Sequence, residues 1–363
     1  MPRRRMITLS LIGGLLGALL LTGAAAAHEP KVKVVADGLD NPRGLSFGPD
    51  GALYVAEAGS GGTLLCAQGP EGPMCYGTSG AVTRIKGSHQ KRVLTGLPSG
   101  AAPDGSNAGG PSDIAFRGMG KAYIPINLGG DPANRVNLPK DVKAAGWLIR
   151  ANVRNGHWSR YADIAGFEGK HNPDGVLPPD SNPYSVAAGR HGVAVADAGG
   201  NSLIWVGHHA RKRLLAVFPS TPNTPSPFGP VDMQAVPTSV VRHGGAWYVG
   251  TLTGFPFPSG AAKVYKVVPG HAPKVVAEGF TNIIDIAFDK HGCMLVLEIS
   301  RNGLLSGDLA GRLVRVGRDG TQKEIVVPGL VAPGGMTVSR SGAIYISNNS
   351  VFSDIGQVLK VTQ

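Results

Sequence analysis

Short apolar or alternating runs recur along the chain in pairs, each pair joined by a glycine-bearing turn of hairpin length. The first pair is Gly44-Leu45-Ser46-Phe47 and Leu53-Tyr54-Val55-Ala56-Glu57, around a Pro-Asp-Gly turn. Five more follow, at 113–116 and 122–124, 184–187 and 193–197, 238–241 and 247–249, 285–288 and 295–298, and 336–338 and 344–347. Runs this short, bounded by glycine, predict β-hairpins. A third run follows each hairpin, at 81–85, 147–150, 203–206, 263–267, 312–316 and 357–361. A fourth follows the first five, at 92–94, 159–161, 214–217, 274–276 and 324–326. Units of four antiparallel strands, spaced roughly 50–70 residues apart, predict an all-β chain folded as a six-bladed β-propeller. A two-sheet sandwich repeated twice is the rival.

The two ends of the chain bear on the same question. The sixth unit stops after its third run, and residues 31–39 (Lys-Val-Lys-Val-Val-Ala-Asp-Gly-Leu) match the fourth-strand segment 274–280 (Lys-Val-Val-Ala-Glu-Gly-Phe) without earlier strands of their own. The N-terminal strand is therefore expected to complete the last blade and close the ring, which protects sheet edges.

Composition adds the compartment. Charged residues are only 16% of the chain and apolar ones 42%, so a sizeable core is affordable and disorder is excluded. Arg3, Arg4 and Arg5, an apolar run to Leu21 and small residues ending Ala25-Ala26-Ala27 predict an export leader over residues 1–27, cleaved after Ala27. Ordinary basic flanks and a loose twin-arginine signal both fit the three arginines. The apolar run is short for a membrane span of about 20 residues. The expectation is a soluble, monomeric, secreted or periplasmic protein with one domain, residues 28–363. Without the three leader arginines the chain keeps 32 basic residues against 24 acidic ones, a charge of +8. In an oxidising compartment Cys66 and Cys75 are expected to pair across one loop. Cys293, in an apolar run, reads as a small buried hydrophobe.

Propeller topology then sorts the polar residues. First strands start and second strands end on one face, here called upper, and the long connections at 58–80, 96–112, 127–146, 163–183, 219–237 and 252–262 emerge there. Long irregular insertions on a rigid frame tend to carry function. Glu57, Asn127, Asp197, Thr251, Glu298 and Asn348 end the second strands, and Asp113 and Asp285 begin first strands. Five acidic groups converging on one channel mouth would repel unless a cation, a basic side chain or water intervened. Oxygen donors suit a hard divalent cation such as Ca²⁺, with Glu57, Asp197 and Glu298 as its ligands; strand-end caps bonded to water are the alternative. Phe255 and Phe257 either line a ligand groove or pack their loop onto the blade. The histidines form no metal motif. His191, His243 and His291 fall in lower turns, and Lys86, Lys91, Arg92, Lys212, Arg318 and Lys323 suggest a basic lower face, either solvated or resting on an anionic cell surface. Nucleic-acid binding is not expected, because aromatics are not interleaved with these basic residues. A Gly-x-Ser-x-Gly elbow and a phosphate-binding glycine loop are both missing from the sequence.

Several segments together resemble the ScyD/ScyE family, exported propeller proteins named from the biosynthesis of the sunscreen scytonemin. They are Gly38-Leu39-Asp40-Asn41-Pro42-Arg43-Gly44, the Cys66 to Cys75 loop with Tyr76-Gly77, Asp180-Ser181-Asn182-Pro183-Tyr184, Asp197-Ala198-Gly199-Gly200-Asn201, and Leu252-Thr253-Gly254-Phe255-Pro256-Phe257-Pro258. The resemblance covers the mature chain and implies a TolB-like six-bladed propeller; it implies no settled reaction. Relatives carry an acidic residue where this chain has Thr251. Gluconolactonase and paraoxonase-like propellers begin their first strand with a key Glu, and Arg43 stands at that position here. Quinoprotein sugar dehydrogenases share the Gly-Leu-x-x-Pro and Tyr-Val-x-Glu pieces, but their catalytic His and cofactor Arg have no counterpart that can be assigned. The expectation is an exported propeller that binds a small molecule or protein at its upper face. The alternative is a lactonase-like hydrolase using a Ca²⁺-type cation, or a sugar oxidoreductase. In the hydrolytic version the cation polarises a carbonyl while a carboxylate moves the proton.

Overall fold

The computed structural model describes residues 30–69, 72–118 and 120–363; the leader expected at 1–27 lies outside them. Six blades of four antiparallel strands form a ring, a six-bladed β-propeller. From first to fourth strand, the opening blade holds Pro42–Phe47, Leu53–Glu57, Gly72–Lys86 and His89–Ala101. The second holds Ala115–Arg117, Lys121–Pro125, Trp147–Asn152 and His157–Asp163, and the third Pro183–Ala188, Val193–Asp197, Ser202–Val206 and Lys212–Val217. The fourth blade follows with Pro237–His243, Ala246–Thr251, Ala262–Val267 and Lys274–Phe280, and the fifth with Ile283–Phe288, Met294–Glu298, Arg312–Val316 and Gln322–Ile325. The last blade contains Gly335–Val338, Ile344–Asn348 and Gly356–Thr362. Its fourth strand is Lys31–Leu39, paired antiparallel with Gly356–Thr362 from Lys31↔Thr362 to Leu39↔Gly356. The closure read from the chain ends is the one found.

The core is divided accordingly. Six apolar clusters each lie between two neighbouring blades, for example Leu45, Val55 and Ile85 against Ala36, Leu39 and Val358 at the seam where the ring closes. A blade is therefore covered on both faces, which is why second strands such as Leu53–Glu57 are buried at every position instead of alternating.

The upper connections hold structure that the strand pattern misses. In the first blade, Leu65–Gly69 pairs with the start of Gly72–Lys86, and Cys66 and Cys75 face each other across this hairpin in the expected disulfide. A helix, Ile164–His171, precedes the third blade. Asp163 caps it by accepting from Gly166 N, and Arg135 pairs with both Asp163 oxygens at 2.7 and 3.1 Å. A small hairpin, Thr221–Thr224 with Val231–Met233, precedes the fourth blade.

Two sequence readings need correction. Arg92 does not belong to the lower face; its guanidinium reaches up to Glu57 and Asp40. Cys293 is half-buried, because it lies in the lower turn just before Met294–Glu298 and its N–H donates to Asp289.

Candidate functional site

The carboxylates at the ends of second strands turn back into their own blades. Glu57 is wholly buried and accepts from Asp40 N at 2.9 Å, from Thr83 Oγ1 and from Arg92 at 2.7 and 3.1 Å. Asp197 accepts from Ser181 Oγ at 2.7 Å, Asn182 N at 2.6 Å and Gly200 N at 3.3 Å. Glu298 takes Thr281 N at 2.8 Å and stands 3.5 Å from Arg312. Asn348 takes Val331 N at 2.7 Å, and Thr251 both accepts from and donates to the backbone of Lys263. Asp40, Asn182, Thr281 and Val331 all lie on the connection that enters the same blade. These side chains tie down the incoming chain, satisfying N–H groups that a strand ladder leaves over.

Glu57, Asp197 and Glu298 thus sit in alternate blades, each engaged locally, and they do not converge as the ligand set expected from sequence. Among the described residues no three His, Cys, Asp or Glu side chains form a group able to hold a metal ion.

Asp113 and Asp285 behave differently. They share a register of the repeat with Gly44, Ser185, Ser239 and Gly335, and the six positions ring the axis. Asp113 accepts from Ile114 N, Ser185 Oγ and Val186 N at 2.7–2.9 Å. Asp285 accepts from Ser239 Oγ at 2.6 Å and from Ile286 N and Met336 N at 2.7 Å. Burial, and then the charge of Asp113, push the Asp285 carboxyl up to about 7 against the pull of these donors; burial also raises Asp113. The folded state therefore favours the proton on Asp285. That stability is full below the ordinary carboxylate range and is lost as pH rises through about 7. We expect the unfolding free energy to fall by on the order of 1–3 kcal/mol between pH 5 and pH 8 from this site. Denaturant melts across that range check it: Asp285→Asn should flatten the slope, and an unchanged slope refutes the assignment.

One residue nearer the upper end stand Arg43 and Tyr184, at the floor of a cleft of about 490 Å³. Asn127, Asn182, Tyr76 and Gln234 line its walls. Arg43 is 8% exposed; one terminal nitrogen donates to Ala108 O at 2.7 Å, and Nε has no partner among the described residues. Burial raises the Tyr184 hydroxyl, as do the nearby charges of Asp285 and Asp113, while Arg43 opposes them. Of the residues expected at the mouth, Asn127 lines this cleft and Asp113 and Asp285 lie on the axis near Tyr184. Phe255 and Phe257 do not line it. They join Phe228 in an aromatic group on the outer loops, with ring centroids 6.0 and 6.4 Å apart. The sequence did mark Arg43, as a basic residue where a carboxylate was expected; Tyr184, in the same register, carried no signal of its own.

The wall of the cleft near Asp180 adjoins a second polar group. Glu168 is wholly buried there, and burial with the charges of Asp197, Asp174 and Asp180 pushes its carboxyl up to about 8.

No family model matches the chain, and no curated protein matches it in sequence. Solved structures do. A gluconolactonase from Xanthomonas campestris is 9% identical with a TM-score of 0.55, over 92% of this chain and 90% of that one. Virginiamycin B lyase from Staphylococcus aureus is 11% identical with a TM-score of 0.50, over 92% of this chain and all of that one. A protein of unknown function from Bacteroides thetaiotaomicron is 9% identical with a TM-score of 0.57, over 92% and 76%. At these identities the likeness is one of fold. Fold and cleft together define a six-bladed propeller with a polar, arginine-floored pocket at the mouth of its channel.

Proposed function

We propose that this chain is an exported binding protein of the ScyD/ScyE type whose ligand is a small polar molecule held in the cleft, with an acidic or carbonyl oxygen on Arg43. The observation that carries the reading is the Arg43 guanidinium, buried at the floor of a roomy cleft with a donor left over. Buried donors are ordinarily satisfied, and a guanidinium pairs best with a carboxylate or a strongly polarised oxygen. Asn127, Asn182 and Gln234 around it supply donors and acceptors suited to hydroxyl groups. The disulfide between Cys66 and Cys75 supports an exported protein.

A lactonase-like hydrolase is the second reading, favoured by the fold shared with a gluconolactonase. Against it, the carboxylates first assigned to the cation are spent on capping within their own blades.

Both readings meet in one experiment. Sugar acids, neutral sugars and lactones, with gluconate and its lactone first, are titrated against the protein by calorimetry and followed for turnover. A binding protein should take up an acid without consuming any lactone, and Arg43→Gln should weaken that binding by roughly 10–100-fold. Lactone hydrolysis lost with Arg43→Gln would support the enzyme instead. Equal binding by the variant and the parent would overturn the role given to Arg43.

A further inference from the structure

Five oxygen atoms in the loops above the third blade are buried away from solvent and lack a hydrogen bond among the described residues. Glu168 is 0% exposed, and among the described residues neither of its carboxylate oxygens has a partner. The same holds for Asp180 Oδ1 and for the amide oxygens of Asn172 and Asn182. The charged groups that act on Glu168 are all acidic, namely Asp197, Asp174 and Asp180, so among the described residues no side-chain cation offsets it. A buried carboxylate without donors or a counter-charge is among the least favourable arrangements in a protein interior.

The surrounding chain is arranged around this group. Asp197 has both oxygens occupied by Ser181, Asn182 and Gly200, which fixes the 180–182 segment. Asn201 donates to Asp174 at 2.8 Å and steadies the loop after the helix. Gly199 and Gly200 pass close to Asp180 and Glu168 respectively. A Cβ on Gly200 would lie 2.4 Å from Glu168 Oε2, and one on Gly199 would lie 2.8 Å from Asp180 Oδ1. Only glycines let the backbone pass this close.

We propose that this group is a divalent cation site, with Glu168 and Asp180 as its charged donors and the Asn172 and Asn182 side-chain oxygens as neutral ones. The set is all oxygen and half amide, the chemistry of Ca²⁺ rather than of Zn²⁺ or a soft metal. Two carboxylates suffice when amide oxygens and water complete the shell; among the described residues no group of three His, Cys, Asp or Glu side chains is placed to hold an ion. Asp180 and Asn182 also line the cleft, which gives the ion a route in. The site does not depend on the role assigned to Arg43.

The test is calorimetric melting of the purified protein after chelation and again with Ca²⁺ restored, with titration of Ca²⁺ for stoichiometry. One ion per chain and a reversible rise of about 4 °C or more at saturating Ca²⁺ are expected. Glu168→Gln should abolish the shift, and Asp180→Asn should weaken Ca²⁺ binding at least 10-fold; the second variant decides the matter if the first does not fold. Absence of a Ca²⁺-dependent shift, or a shift that both variants retain, overturns the proposal. So does a Glu168→Gln protein that melts higher than the parent with and without Ca²⁺, because Glu168 is then a buried neutral acid.

Discussion

A chain that begins at Asp40, and so lacks the strand Lys31–Leu39, is expected to lose the closed ring, while one beginning at His28 keeps it. The strand is the outer member of the last blade, and its pairing with Gly356–Thr362 joins the two ends of the chain. It carries Ala36 and Leu39 into the cluster shared with Leu45, Leu53 and Val55 of the first blade. Full burial of one leucine contributes about 1.5–3 kcal/mol, and the strand's ladder of hydrogen bonds adds to it. Several kcal/mol is a large share of the roughly 5–15 kcal/mol that separates a folded domain from its unfolded chain. The shortened chain also exposes Gly356–Thr362 as an unpaired edge, so aggregation should accompany the loss. Chemical denaturation and size-exclusion chromatography of the two chains check this. Adding a peptide of residues 28–40 should restore part of the cooperative transition. A shortened chain that stays monomeric and melts within about 2 °C of the longer one would mean that packing between blades closes the ring unaided.

The closure was legible because it rests on two matching segments, 31–39 and 274–280, and on a last unit one strand short. The blades themselves were legible for a related reason. Each is covered on both faces by its neighbours, so the repeat of short apolar runs survives even where strict alternation does not. The upper connections lack that regularity. Helix Ile164–His171 contains Gly166 and Gly169 and buries only Ile164, Ala165 and Glu168, so it has no helical apolar stripe to read. What holds it is a distant ion pair between Arg135 and the capping Asp163. The long hairpin of the first blade is glycine- and serine-rich for much of its length, and its strand character comes from pairing with Leu65–Gly69 and His89–Ala101.

At the site, position was legible and direction was not. Topology located Glu57, Asp197 and Glu298 at strand ends on the upper face, but whether such a side chain meets the axis or its own blade depends on partners far away in sequence. Arg92, which pairs with Glu57, lies 35 residues further on. Asp113 and Asp285 did approach the axis: Asp285 lies on a first strand, Asp113 lies two residues before one, and first strands stand at one end of each blade's sheet. The register they share with Gly44, Ser185, Ser239 and Gly335 was present in the repeat, and the glycines in it carry as much information as the acids.

Gly44→Ala should therefore be among the most damaging single substitutions in the protein. Its Cβ would lie 2.2 Å from Asp113 Oδ1, 2.7 Å from Asp113 Cγ and 2.9 Å from Asp113 Cα. The carboxylate cannot swing aside without leaving Ile114 N, Ser185 Oγ and Val186 N, and the Cα belongs to backbone. On the other side Gly335 is packed so closely that its own added Cβ would lie 2.8 Å from Gly44 Cα, so the strand has no room to retreat. Overpacking together with a displaced buried carboxylate should cost roughly 3–5 kcal/mol, the upper end of single-residue effects. Gly38→Ala supplies the contrast. Gly38 has φ +62°, and a Cβ there meets nothing within 4 Å, so its cost is only the left-handed backbone, about 1–2 kcal/mol. Denaturant midpoints of the two variants should fall in that order, and a reversed order would mean that the axial ring is slack. The two variants should also part in their pH response. Moving the Asp113 charge changes one of the two influences that raise Asp285, so Gly44→Ala should alter the loss of stability between pH 5 and pH 8, whereas Gly38→Ala leaves it as it was.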